Sequence, residues 1–449
     1  MKKYNLYALV AAGLLAGGMS VTSASAADLG GNCCADLEER IAELEATTAR
    51  KGNRKVSLTV SGWVGQQVTF WDDGIESNTY VHDLGSTLGS HVKFTGSAQI
   101  SPGWSAGYVL QIEAIGSDSL TMNQVNPDGP AALVGTANGV QTLQSYWFIK
   151  SDQLGKVSVG KQSQASDNAA ILVDGSGSLV PANWVAFDVN SFAVRGTGSV
   201  AMTWGNTQSC FGQGGAWGDC NGLTQNVVRY DSPTFGGFSV SASWGEDDMW
   251  DVAGRYAGEW GGFKLAAAVA YNEVTDQRYN GGVAVPDQQY FQAGAFLMHV
   301  PTGLFGLVNY GDLQTDALVT GDPTLDIGAG DAQTWYGKIG LRSRFSSLGH
   351  TVFYGEYLNG QGGAVGVDDV LANNDPADDT TFDDDRRVVM GGSELEVWGA
   401  GIVQEIDAAA MSVWVKYRHL SASGLVDSEG VAIGSEDFQY VGVGALINF

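Results

Sequence analysis

The chain has 449 residues, with 49 Asp and Glu against 23 Lys and Arg, a formal net charge of -26 at neutral pH. That balance argues against a nucleic-acid partner, since phosphate backbones are held by basic surfaces. Only 16% of the residues are charged, fewer than the ~25% of typical globular domains. With 63 Gly, 13 Trp, 16 Tyr and 17 Phe but 9 Pro, the composition departs from a soluble α/β enzyme and suits many strands alternating apolar with small polar residues.

Residues 1–26 read as a secretory signal peptide. Lys2 and Lys3 form a positive n-region, Leu6 to Ala16 a short apolar stretch, and Ala24-Ser25-Ala26 a small-residue cleavage site, so the exported chain is expected to begin near Ala27. No later apolar run reaches the ~18 residues of a membrane-spanning helix.

Residues 27–53 hold the one helical pattern. In CCADLEERIAELEATTARK, Cys34, Leu37, Ile41, Leu44 and Thr48 recur at alternating three- and four-residue spacing, a coiled-coil-like seam flanked by Glu and Arg. Two heptads do not hold together alone. The segment reads either as an amphipathic helix on a barrel mouth or as a small periplasmic stalk where identical chains meet.

From Arg54 to Phe449 the period is two. Val56, Leu58 and Val60 alternate with Ser57, Thr59 and Ser61; Phe238, Val240, Ala242 and Trp244 alternate with Ser239, Ser241 and Ser243. Short turns, such as Ser101-Pro102-Gly103 and Pro301-Thr302-Gly303, alternate with long polar loops near 72–87, 117–139, 164–223, 245–250, 276–286, 316–331, 361–390 and 424–436. Short turns on one side and long loops on the other mark a transmembrane β-barrel, and eight long loops imply sixteen strands. The 245–250 connection is the shortest of these, and its loss would leave fourteen. Paired aromatics recur at strand ends (Phe70 and Trp71, Tyr290 and Phe291, Phe353 and Tyr354), as interfacial girdles require.

Alternation assigns Lys93, Arg229, Arg255, Lys338, Arg342, Lys416 and Arg418 to the lumen, because a charge on the lipid face costs about 2–4 kcal/mol at the midplane. Glu113, Glu394 and Glu396 are assigned to water too, and their surplus would favour cations. Cys210 and Cys220 flank a Gly-rich tip and are expected to pair, whereas the adjacent Cys33 and Cys34 leave a strained ring, interchain bonds or free thiols open. The acidic stretch Asp368 to Asp385 lacks calcium-loop spacing and reads as a solvated outer loop. No metal site, cofactor or catalytic residue is expected: the histidines are scattered, and no nucleophile elbow or phosphate loop occurs.

Three segments resemble the trimeric Gram-negative outer-membrane porins, their alphaproteobacterial branch in particular. Ser145 to Gln162 (SYWFIKSDQLGKVSVGKQ) is similar to the paired strands that end in Gly-Arg-Gln before the family's constriction loop, with Lys161 in place of the arginine. Asn226 to Phe238 (NVVRYDSPTFGGF) matches the Arg-Tyr-Asp-Ser-Pro hairpin that follows it, and the strand Asp437 to Phe449 ends on the aromatic that resembles an assembly signal.

The resemblance implies an all-β fold: a 16-stranded antiparallel transmembrane β-barrel with an inward-folded third loop (164–223), preceded by the short helix. It implies a homotrimer in outer-membrane lipid and lipopolysaccharide, folded by the barrel assembly machinery through Phe449, passing small hydrophilic solutes and ions with weak cation preference. Asp167, Asp174 and Asp188 are then the loop's constriction acids, with Asp219 a further loop acid; Arg229, Lys338 and Arg342, with Lys93 and Arg255, are the facing wall bases. An extra hairpin is expected within the loop at Phe192 to Trp204. Two other readings remain: a sugar-specific channel with Trp63, Trp398 and Trp414 as a stacking track, and a surface adhesin or receptor working through its acidic loops.

Overall fold

The computed structural model describes residues 56–127, 139–197, 200–210, 215–245, 248–275, 287–316, 330–368, 386–390, 393–425 and 432–449. The signal-peptide segment, the helical seam with Cys33 and Cys34, and most of the acidic stretch lie outside them.

Among the described residues sixteen strands form one closed wall: β1 (Thr59–Asp72), β2 (Ser90–Ser101), β3 (Trp104–Ile115), β4 (Gly139–Ser151), β5 (Gly155–Gln162), β6 (Gln225–Asp231), β7 (Phe238–Gly245), β8 (Trp250–Trp260), β9 (Phe263–Val274), β10 (Gln288–His299), β11 (Leu304–Thr315), β12 (Ala332–Ser346), β13 (Gly349–Gly362), β14 (Glu394–Ile406), β15 (Met411–Ser423) and β16 (Phe438–Asn448). Each pairs antiparallel with its sequence neighbours. An even number lets the last strand meet the first, and β1 pairs with β16 from Trp63 opposite Asn448 to Asp72 opposite Gln439. Phe449 and Gly62 exchange backbone hydrogen bonds of 3.0 Å at the seam, so the sheet closes on itself. The 245–250 connection survives as a loop, with Trp244 opposite Trp250.

The period-two pattern becomes two faces. On β13, Val352, Tyr354, Glu356 and Leu358 are buried inside, while Phe353 and Tyr357 stand on the outer surface. Adjacent residues must point opposite ways, so each of the aromatic doublets named above splits. Phe70, Phe291 and Phe353 face out; Trp71, Tyr290 and Tyr354 face in. The outer ring is completed by residues such as Trp147, Trp244 and Trp335.

Loop segments pack against the inner face of the wall. The third loop, between β5 and β6, lies inside the wall, and much of it is buried. Its Phe192–Trp204 segment is a hairpin, with Val194 N–H on Met202 O at 2.8 Å and Trp204 N–H on Phe192 O at 2.8 Å. Part of the first loop joins the wall itself: Ser77–His82 pairs with the upper half of β1. Trp71, Tyr80, Phe192 and Phe438 then pack with ring centroids 5.0–6.2 Å apart, a core of the kind found in soluble proteins. Gly294 on β10 allows this packing, since a Cβ there would collide with the Ala170 carbonyl of the third loop.

Candidate functional site

All seven bases assigned to the lumen by alternation point inward. Most are already matched. Lys338 Nζ lies 2.5 Å from Asp174 Oδ2, both side chains fully shielded, and donates to Ala182 O at 2.8 Å. Lys416 Nζ lies 2.6 Å from Asp188 Oδ2. Burial pushes the Asp188 carboxyl up, but the Lys416 ammonium and His82 pull harder and hold it at about 2. Arg418 grips Glu356 with two 2.8 Å bonds and Asn183 O with a third of 2.5 Å. Asp174 and Asp188 therefore tie the third loop to β12 and β15 and do not stand free over an opening.

Arg342 pairs with Glu405 at 2.9 Å, with His350 on the same carboxylate at 3.2 Å. Lys93 is buried on β2. On the opposite wall, Arg229 donates to Asp231 Oδ1 at 2.7 and 3.0 Å and to the Ser163 and Gln164 carbonyls at 2.8 and 3.1 Å. Arg255 donates to Ala165 O at 2.6 Å and Ser241 Oγ at 3.1 Å. These arginines anchor the base of the loop where it leaves β5.

Between that wall and the loop lies a polar cavity of ≈ 220 Å³, lined by Asp167, Arg229, Asp231 and Arg255 with hydroxyls of Ser163, Ser239 and Ser241 among others. Asp167 is pushed up to about 7, chiefly by burial, with repulsion from Asp219 and Asp251 opposed by the Ser163 hydroxyl and Arg229. Burial also lifts Asp219 to about 7; it accepts from Asn168 at 2.7 Å. Cys210 and Cys220 are bonded, with Cα atoms 4.8 Å apart.

The sequence of residues 8–445 matches the family model described as Gram-negative porin. The chain belongs to the Gram-negative porin family. It is an outer-membrane barrel that acts as a passive diffusion channel. Among solved structures it is similar in fold to OprB of Pseudomonas putida, at 11% identity over 92% of this chain and 97% of that one, with a TM-score of 0.52. Further matches include OmpF of Salmonella typhi (13% identity, 89% of this chain and 99% of that one, TM-score 0.48). The outer membrane channel DcaP of Acinetobacter baumannii also matches (8% identity, 89% and 99%, TM-score 0.49). No curated protein sequence matches.

Three lumen assignments fail in this porin. Glu394 and Glu396 lie on the outer face of β14, Glu396 accepting from the exposed Tyr357 hydroxyl at 2.5 Å, while Leu395 and Val397 point in. Trp398 is also outside, its ring tilted against those of Tyr417 and His419, so it shares no track with the inward, buried Trp63 and Trp414. The sequence reading also overlooked Asp231, Glu356 and Glu405, the partners that neutralise the wall bases. Parity carried the signal for Glu356, which stands opposite Lys338, and Asp231 lies within the Arg-Tyr-Asp-Ser-Pro motif itself.

Proposed function

We propose that this porin passes small hydrophilic solutes and ions through the gap between the third loop and the β5–β8 wall, with Asp167, Arg229 and Arg255 at the constriction. One observation carries the reading. The loop is clamped by buried ion pairs to β12 and β15, leaving the polar cavity on the other side. Lys338 and Arg342, with Asp174 and Asp188, then fix the loop that sets the radius, and Lys93 adds positive field to the wall. Selectivity is weakly cationic, because inner bases are largely paired while the outer loop segments are rich in acids. No chemistry and no cofactor are involved.

The working unit is a homotrimer of the alphaproteobacterial branch. Strands β5, β6 and β7 have 8, 7 and 8 residues, fewer than the ~9–11 that span a bilayer. Lys161 and Asn226 sit side by side on their outer face, where lipid exposure of a lysine costs about 2–4 kcal/mol at the midplane. Neighbouring copies shield this low stretch of wall. The precursor loses residues 1–26, Phe449 serves the assembly machinery, and lipopolysaccharide surrounds the outer leaflet.

Single-channel recording in asymmetric KCl tests the proposal. Ohmic conductance arriving in triplets, with a reversal potential of cationic sign, is expected. Barrels that insert yet remain electrically silent would reject it.

A further inference from the structure

Inside the barrel the bases Lys338, Arg342, Lys416 and Arg418 each have a carboxylate within 2.5–2.9 Å, whereas Arg255 and Asp167 are in no ion pair among the described residues. Arg255 bonds only to the Ser241 hydroxyl and the Ala165 carbonyl, with no carboxylate at ion-pair distance among the described residues. Asp167 likewise has no ion pair among the described residues, and a hydrogen bond with Ser163 is its local support. Both line the same cavity. The other guanidinium there, Arg229, is matched by Asp231 at 2.7 Å.

We infer that this cavity is a transit site for small zwitterions of the α-amino-acid class, the solute's carboxylate meeting Arg255 and its ammonium meeting Asp167. The inference rests on the diffusion-pore reading above and narrows it to a preferred solute. A lone anion would gain Arg255 but approach Asp167 and Asp231. A lone cation would gain Asp167 but approach Arg255. A molecule carrying both charges satisfies both groups at once, in a partly dehydrated gap where such contacts are stronger than in bulk water.

The volume, ≈ 220 Å³, is below the ~300–1,000 Å³ of pockets for drug-sized ligands, which limits the solute to a few heavy atoms beyond its two charged ends. Transit demands binding that is favourable on entry and weak enough for release, and a pair of single charge contacts at the two ends of a small solute fits that requirement. The groups facing Asp167 are Arg229, Arg255, Asp219 and Asp251. An incoming ammonium adds positive charge to this set and favours the ionised carboxylate, so uptake of the zwitterion should rise as pH passes through about 7.

Liposome swelling with purified trimer and four solutes of similar size (alanine, propionate, isopropylammonium and propionamide) tests the inference. Alanine should enter at least about threefold faster than neutral propionamide. Arg255→Gln should bring that ratio towards one and shift preference to isopropylammonium; Asp167→Asn should lower it and shift preference to propionate. A wild-type ranking by size alone, or either singly charged solute ahead of alanine, would overturn the zwitterion site while leaving the pore intact. If no solute enters, the diffusion-pore reading itself fails and the site goes with it. The wild-type ranking stands even if a variant does not assemble.

Discussion

Replacing Lys338 with Met tests whether buried charge pairs hold the third loop in place. Met keeps the apolar stem but removes the ammonium that sits 2.5 Å from Asp174 and 2.8 Å from the Ala182 carbonyl. Asp174 would keep one backbone partner, the Ser176 N–H at 2.9 Å, and would otherwise be a carboxylate sealed from water without a counter-charge. Breaking one side of such a pair costs about 3–5 kcal/mol. Lys338→Met with Asp174→Leu removes both charges and should recover most of that loss, because apolar replacement of a buried pair is often neutral or stabilising. Urea unfolding in lipid vesicles, followed by tryptophan fluorescence, reads the stability; single-channel noise reads the loosened loop. A single variant that costs less than about 1 kcal/mol, or a double variant no better than the single, would refute the reasoning.

Raising pH from 5.5 to 8.5 should ionise Asp167 and Asp219, both held at about 7, and reversal potentials should become more cation-selective with a midpoint near 7; Asp167→Asn should flatten the change. Because these folded-state values lie above the ordinary 3.8, the stability they contribute is present below that value and lost as pH rises through about 7. Ile339→Arg places a charge on the outer face of β12, where Ile339 is 72% exposed, and should cost about 2–4 kcal/mol in the same urea titration. Replacing Cys210 and Cys220 together by Ala should destabilise the loop by about 2–3 kcal/mol on the chain-entropy account, while the heat-modifiable barrel band persists on gels.

Much of the wall was legible residue by residue. Phe353, Phe291 and Val240 lie outside, and Lys338, Arg229 and Lys416 inside, because lipid penalises charge and a strand has only two faces. The reading failed at Glu394 and Glu396 for the same reason. These residues begin β14 on the long-loop side, above the Trp398 and Tyr357 rings, where the outer face meets headgroups and water and polarity no longer marks the lumen. The sequence named the loop acids without their partners. Asp167, Asp174 and Asp188 look alike in sequence, yet two are neutralised by Lys338 and Lys416, and only Asp167 has no ion pair among the described residues.

By itself the sequence determined what local physics enforces: the alternation, the turn asymmetry, the sixteen-strand count and the inward direction of the seven bases assigned to the lumen. Those depend on one or two residues at a time. Only the tertiary structure decided which charges meet, since Asp174 and Lys338 are 164 residues apart and their contact depends on the path of a whole loop through the barrel. The gap left beside that loop, with its Asp167 and Arg255, is a property of the closed cylinder and of no segment within it.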